Sequence, residues 1–307
     1  MSVFQISLFG KFQALRHDVP IASLEKRKVQ ELLAYLVLYR ERPHPRETLA
    51  GLLWGDMPTG QSKKYLRQTL WQINGARQND SHNLLLQVEA DWVCLHGAPE
   101  LWVDAVQLEE MSARLRGLAG QELDAATVQA LQSIVALYQG ELLEGWYQDW
   151  CIYERERFQM MYLAMLDKLV LYFEARQDYE TAHAYGMQIL KYDRASERTH
   201  RRLMRLLYLA GDRTGALRQY DRCVAALAQE LNVKPSERTR QVYEQVRRDE
   251  LPGAAVSALP AAVPDPAPFG LSDILARLKR VQVSLAAAHT QVQQDIQAIE
   301  RKLSRPS

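Results

Sequence analysis

Lys63, Lys64, Arg67, Gln68, Trp71 and Gln72 stand close together in the stretch SKKYLRQTLWQINGARQ (62–78). Their types suit one kind of chemistry. Ammonium and guanidinium groups neutralise phosphates. The guanidinium fork matches a guanine edge, and a glutamine amide matches adenine. Leu66, Leu70 and Ile73 fall at i, i+4, i+7, so the stretch predicts a helix with one apolar face. The stretch contains no Asp or Glu. Lys63 and Lys64 are expected near the start of the helix, where free amides and positive charge meet phosphates. Tyr65 and Trp71 suit either a core or a phosphate and methyl contact; Tyr65 reads as core and Trp71 as contact. A basic amphipathic helix alone is most often a solvated face, so the elements around it decide its meaning.

No other group of residues has the spacing of a reactive site. His44 in HPRE (44–47), His82 and His96 have no carboxylate or cysteine partner at motif distance. Cys94, Cys151 and Cys223 are three in number and far apart, which fits neither a metal site nor a disulfide and does fit a reducing cytoplasm. There is no Gly-rich loop ending in Lys-Ser or Lys-Thr. The expectation is a protein that is not an enzyme, with no cofactor, no metal and no catalytic residue. With no basic-then-apolar leader and no run approaching ~18 apolar residues, a membrane partner is not expected either.

The elements that position the basic stretch follow from periodicity. VFQISLFG (3–10), KFQAL (11–15) and VPI (19–21) predict a short antiparallel meander. EKRKVQELLAYLVLYR (25–40) carries Val29, Leu32, Leu33, Leu36 and Val37 on a helical stripe that RPHP stops. RETLAGLLW (46–54) is a second, short helix, ended by Gly55 and Pro58. LLLQV (84–88) and WVCL (92–95), joined at EAD, predict a hairpin. Strands, three helices and a hairpin make the winged-helix plan, with the third helix as reader and the hairpin as wing.

Residues 101–250 read as helical almost throughout. ARQDYETAHAYGMQILKYD (175–193) aligns with LAGDRTGALRQYDRCVAAL (209–227) at an offset of 34, matching Asp178 to Asp212 and Ala182 to Ala216. That is the tetratricopeptide period. YERERF (153–158) predicts ion pairing at i, i+4 on a long helix, and RASERTHRR (194–202) a basic helix start, either plain surface or a contact for polymerase or distal DNA. Residues 251–270 form a Pro/Ala-rich linker. Beyond it Leu271, Leu278, Leu285, Val292 and Ile299 recur every seven residues, with Leu275, Gln282, His289, Ile296 and Leu303 in the partnering series. This is a coiled-coil pattern with a polar middle; the alternative is a helix that docks on its own protein.

These motifs resemble those of the SARP-type bacterial regulators, a winged helix followed by a bacterial transcriptional activator domain. QELNVKPSERTRQVYEQV (229–246) resembles the closing signature of that domain and LWVDAVQLEEM (101–111) its opening. SKKYLRQTLWQI resembles the family's recognition helix, and RETLAGLLWGD the helix before it. The resemblance covers about residues 3–250. It departs in the wing, which reads EADWVCL where many members carry Gly-Tyr, and in WQINGA, which lacks a closing Leu-Arg pair.

The expected fold is mainly α. A winged-helix DNA-binding domain (α+β, 1–97) is followed by a TPR-like activator domain (98–250), the linker (251–270) and an amphipathic oligomerisation helix (271–303). The resemblance implies a sequence-specific regulator, an activator on repeated promoter sites in double-stranded DNA that contacts RNA polymerase. The other reading is a TPR-like interaction scaffold with a degenerate winged helix. Residues 1–97 hold twelve Lys and Arg against nine Asp and Glu, a net of only +3. So weak a charge favours a homodimer or higher oligomer that doubles the phosphate contacts.

Overall fold

The computed structural model describes residues 4–75, 85–95 and 101–251, all within one compact unit, Met1–Ala255. The expected linker beyond Leu251 and the expected heptad helix at 271–303, with His82 and His96, lie outside the described residues. The architecture is a small mixed α+β N-terminal region followed by helices.

The meander forms from β1 (Phe4–Ser7), β2 (Gln13–Arg16) and β3 (Val19–Pro20). Phe4 and Ile6 alternate inward, as a half-buried strand requires. Three helices follow, α1 (Arg27–Leu38), α2 (Arg46–Trp54) and α3 (Thr59–Gly75), with β4 (His44–Pro45) between the first two. The hairpin is β5 (Leu86–Val88) and β6 (Trp92–Leu95), and β4 joins it in the order β4-β6-β5. His44, one of the imidazoles considered for reactivity, is buried with its Nε2 2.9 Å from the Tyr39 carbonyl. It pins the turn between α1 and β4.

One strand differs from the expectation. LWV at 101–103, read as the opening of the helical segment, is β7 (Leu101–Val103), which pairs parallel with β1. The first sheet therefore runs β3-β2-β1-β7 and takes its last strand from beyond residue 97. Periodicity cannot reveal this, because three residues are too few for a pattern and the partner is almost a hundred residues away.

The helical region is α4 (Asp104–Arg114), α5 (Ala125–Val135), α6 (Asp149–Ala175), α7 (Tyr179–Tyr192), α8 (Glu197–Leu209), α9 (Arg213–Glu230) and α10 (Glu237–Arg248). The matched residues of the 34-residue offset do matching work. Asp178 caps α7 through the Thr181 amide at 3.1 Å, and Asp212 caps α9 through the Gly215 amide at 2.7 Å. Before each cap stands a left-handed residue, Gln177 at φ 63° and Gly211 at φ 86°, reversing the chain between helices. Ala182 and Ala216 are both fully buried. At Gly186 an added Cβ would lie 2.5 Å from a Leu203 methyl, so α7 and α8 pack at glycine distance.

YERERF serves mainly to join elements. Of its expected pairs only Arg157–Glu154 is local, at i, i+3. Arg157 also binds Glu109 at 2.6 Å, and Glu109 binds Arg40 at 2.7 Å, linking α6, α4 and the turn after α1. Arg155 donates to the carbonyls of Leu142, Leu143 and Trp146, closing the loop before α6. Long arginine side chains reach backbone acceptors that the i, i+4 rule does not consider.

Candidate nucleic-acid interface

At about 100° per residue, α3 divides cleanly. Ser62, Leu66, Thr69, Leu70 and Ile73 are buried and share one side. Burying each large aliphatic chain there contributes about 1.5–3 kcal/mol. The hydroxyls in that stripe are satisfied by the helix itself, Ser62 by the Thr59 carbonyl at 3.1 Å and Thr69 by the Tyr65 carbonyl at 2.9 Å. Lys63, Arg67, Trp71, Lys64 and Gln68 follow one another around the opposite side, all exposed. Gln72 is half-buried at its margin. Trp71 is 72% exposed, whereas Tyr65 is half-buried with its ring 6.2 Å from Trp54.

The helix begins at Thr59, three residues earlier than the sequence reading placed it. Pro58 explains this, since its carbonyl accepts from the amides of Gln61 and Ser62 and proline is well tolerated just at a helix start. Lys63 and Lys64 therefore stand a turn inside the helix, away from its free amides. They also differ from each other. Lys63 binds Glu47 of α2 at 2.6 Å, a contact that holds the Glu47 carboxyl below its usual range. Lys64 has no ion-pair partner among the described residues.

The hairpin is held against this helix by two devices. Asn74, at the end of α3, donates to the Leu86 carbonyl at 3.2 Å and accepts from the Leu86 amide at 3.0 Å. Its side chain thus replaces a backbone neighbour for β5. Arg46 donates its amide to the Asp91 carbonyl at 2.9 Å and its guanidinium to the Glu89 carbonyl at 3.1 Å, fixing the turn. Between α3 and the hairpin lies a cleft of about 840 Å³ lined by Arg46, Glu47, Lys63, Arg67, Asp91 and Trp92. Trp92 is 45% exposed beside it. The turn's Glu89 and Asp91 are exposed and acidic, so phosphate attraction falls to α3 rather than to the hairpin tip.

Sequence reasoning found the polar arc but not Asn74, Arg46 or Glu47. Asn74 stands in an Asn-Gly pair, an ordinary helix-ending signal, and nothing local shows that its amide faces a strand. Two of the three cysteines, Cys151 and Cys223, are buried. Burial pushes the Cys151 thiol up to about 12 and the Cys223 thiol up to about 11, which keeps both protonated. Among the described residues no helix is long and apolar enough to cross a membrane.

Residues 103–247 match the family model of the bacterial transcriptional activator domain. Among solved structures, the chain is similar to the one titled "Mycobacterium tuberculosis EmbR in complex with low affinity phosphopeptide". The two are 19% identical with a TM-score of 0.64, over 83% of this chain and 67% of that one. At that identity the likeness is one of fold. No curated protein matches the chain.

Proposed function

We propose that this chain, a SARP-type bacterial transcriptional regulator, works by laying α3 in the major groove of duplex DNA at repeated promoter sites. The observation that carries this reading is the exposed arc of α3. It offers Lys64, Arg67, Gln68 and Trp71 together, and the helix contains no carboxylate. A helix about 10–12 Å across fits a major groove about 12 Å wide. Lys64 supplies a phosphate contact, while Arg67 and Gln68 are long enough to reach base edges. The activator domain then meets RNA polymerase, so that the bound protein activates transcription.

The weak charge of residues 1–97 makes pairing part of the reading. A single head with few phosphate contacts binds weakly, and two linked heads gain by effective concentration. The heptad residues Leu271, Leu275, Leu278, Leu285, Val292, Ile296, Ile299 and Leu303 are the proposed means.

The test is a mobility shift on random duplex at several salt concentrations, followed by selection of the bound sequences. Binding that weakens with salt and converges on a repeated motif is the expected result. Arg67→Ala should relax one position of that motif at a cost of about 1–3 kcal/mol. Absence of salt-dependent binding would leave the helical domain as a protein scaffold and the winged helix as a remnant.

A further inference from the structure

The charge of the helical region is split along the chain. Residues 101–193 hold fifteen Asp and Glu against seven Lys and Arg, a net of −8. Residues 194–250 hold thirteen Lys and Arg against eight Asp and Glu, a net of +5. The basic part includes Arg198, Arg201, Arg202 and Arg205, spaced i, i+3, i+4, i+7 along α8. The four line a cleft of about 520 Å³ against α6, with Leu171 and Glu174 among the opposite residues.

From this arrangement we infer that the α6–α8 cleft is a docking site for an acidic peptide segment of a partner protein. The arginines of the cleft already display the recognition chemistry with carboxylates of their own chain. Asp167 receives Arg198 at 3.0 Å and Arg202 at 2.5 Å, and Glu174 lies 3.5 Å from Arg202. Arg201 is held by Thr239 at 3.1 Å and by Glu197 at 3.7 Å. Arg205 is exposed and has no hydrogen-bond or carboxylate partner among the described residues. The internal pairs order Arg198, Arg201 and Arg202, so that only Arg205 must be immobilised to receive a further carboxylate beside them. The guanidinium of Arg205 and the exposed side of Arg198 are the groups left to receive it. Leu171 adds an apolar wall, which suits a peptide with an aliphatic residue between its acids. A duplex wants a long strip of phosphate contacts, whereas these four arginines span two turns of one helix beside an apolar wall, a length that fits a short extended chain. This inference does not depend on α3 binding DNA.

The test uses the full chain and fluorescence anisotropy with a labelled peptide of about twelve residues, rich in Asp and Glu with two leucines. A peptide with Asn and Gln in place of the acids is the control. Arg205→Glu should weaken the acidic peptide about tenfold or more. Arg218→Glu, the same charge change at an exposed position of α9 outside the cleft lining, should change it less than about twofold. Circular dichroism melts verify that both variants fold. Equal binding of the neutral control, or equal losses from the two variants, would overturn the site in favour of diffuse charge. Displacement of the peptide by random duplex from an Arg67→Ala chain would overturn it in favour of a nucleic-acid surface.

Discussion

The carboxylate of Asp104 receives the Leu8 amide on both oxygens, at 2.8 and 2.9 Å, across 96 residues of sequence. It also accepts from Phe9 at 3.0 Å and from its neighbour Ala105 at 2.6 Å. One buried side chain thus joins the end of β1 to the first turn of α4. The loop before α6 completes the seam: Leu143 donates to the Leu8 carbonyl at 2.7 Å, and Gly10 to the Glu141 carbonyl at 2.8 Å. The N-terminal sheet and the helical region are stitched together here.

Asp104→Asn should expose this seam through its pH dependence. Burial pushes the Asp104 carboxyl up to about 6, against hydrogen bonds from Phe9, Leu8 and Ala105 that pull it down. The folded value lies above the unfolded one, so folding takes up a proton between them. The protonated carboxyl's contribution is fully present below the unfolded pKa and is lost as pH rises through about 6. Asparagine does not titrate, and it offers one oxygen to a cluster of amide donors, which costs about 1–3 kcal/mol near neutrality. The stability gap between parent and variant should therefore widen as pH falls from about 7.5 to about 4.5, by on the order of 2 kcal/mol. Carboxylates held low elsewhere, such as Glu109 beside its arginines, weaken both chains in acid and cancel in the difference. Denaturant melts at three pH values measure it; a constant gap would mean that Asp104 keeps one protonation state throughout.

Leu70→Ala and Gln68→Ala should separate folding from recognition. Leu70 is buried in the core that α3 shares with α1, and its truncation should cost about 2–5 kcal/mol. Gln68 faces outward, so Gln68→Ala should melt like the parent and still bind DNA less tightly. The measurement is a melt and a binding isotherm for each variant. A Leu70→Ala chain with parental stability would reverse the assignment of the helix faces.

Much of this arrangement was legible in the sequence because it depends on local periodicity. The polar arc of α3 and the span of α2 follow from apolar residues at helical spacing. The reversals before Asp178 and Asp212 follow from an offset repeat. What stayed hidden depends on partners distant in sequence. β7 is three residues whose partner is β1, and neither Asp104 nor Asn74 stands in a local pattern that marks its distant partner. The start of α3 was misplaced because Thr59, Gly60 and Gln61 carry no apolar signal, and only Pro58 marks the turn that begins the helix.

Lys63 and Lys64 should differ in their effect on salt dependence, although they are neighbours of the same type. Lys64→Ala should flatten the slope of log affinity against log salt by about one, as expected for a single lost phosphate contact. Lys63 shares its charge with Glu47, so Lys63→Ala should flatten the slope less. Glu47→Gln frees the Lys63 ammonium and removes an acid from the cleft, so it should tighten DNA binding and steepen the slope. Titrations at four salt concentrations decide this. Identical slopes for the two alanine variants would show that the Glu47 pair opens on binding.

The heptad pattern at 271–303 should make the full chain associate with itself and raise its DNA affinity by avidity. Leu271, Leu278, Leu285, Val292 and Ile299 keep one position apolar through five heptads, which a solvated helix has no reason to maintain. Gln282 and His289 stand in the middle of the partnering series. Polar residues at such positions cost stability but select register and partner number. Protonation of His289 near about pH 6 would place like charges together in a parallel pair, so association should weaken in acid. Sedimentation of the full chain and of a chain ending at Glu250, near pH 7.5 and near pH 5.5, measures both effects. The expected result is a larger particle for the full chain at the higher pH, with a smaller difference at the lower one. Equal masses at every concentration would rule out self-pairing and leave the helix to pack on its own chain or to await a different protein.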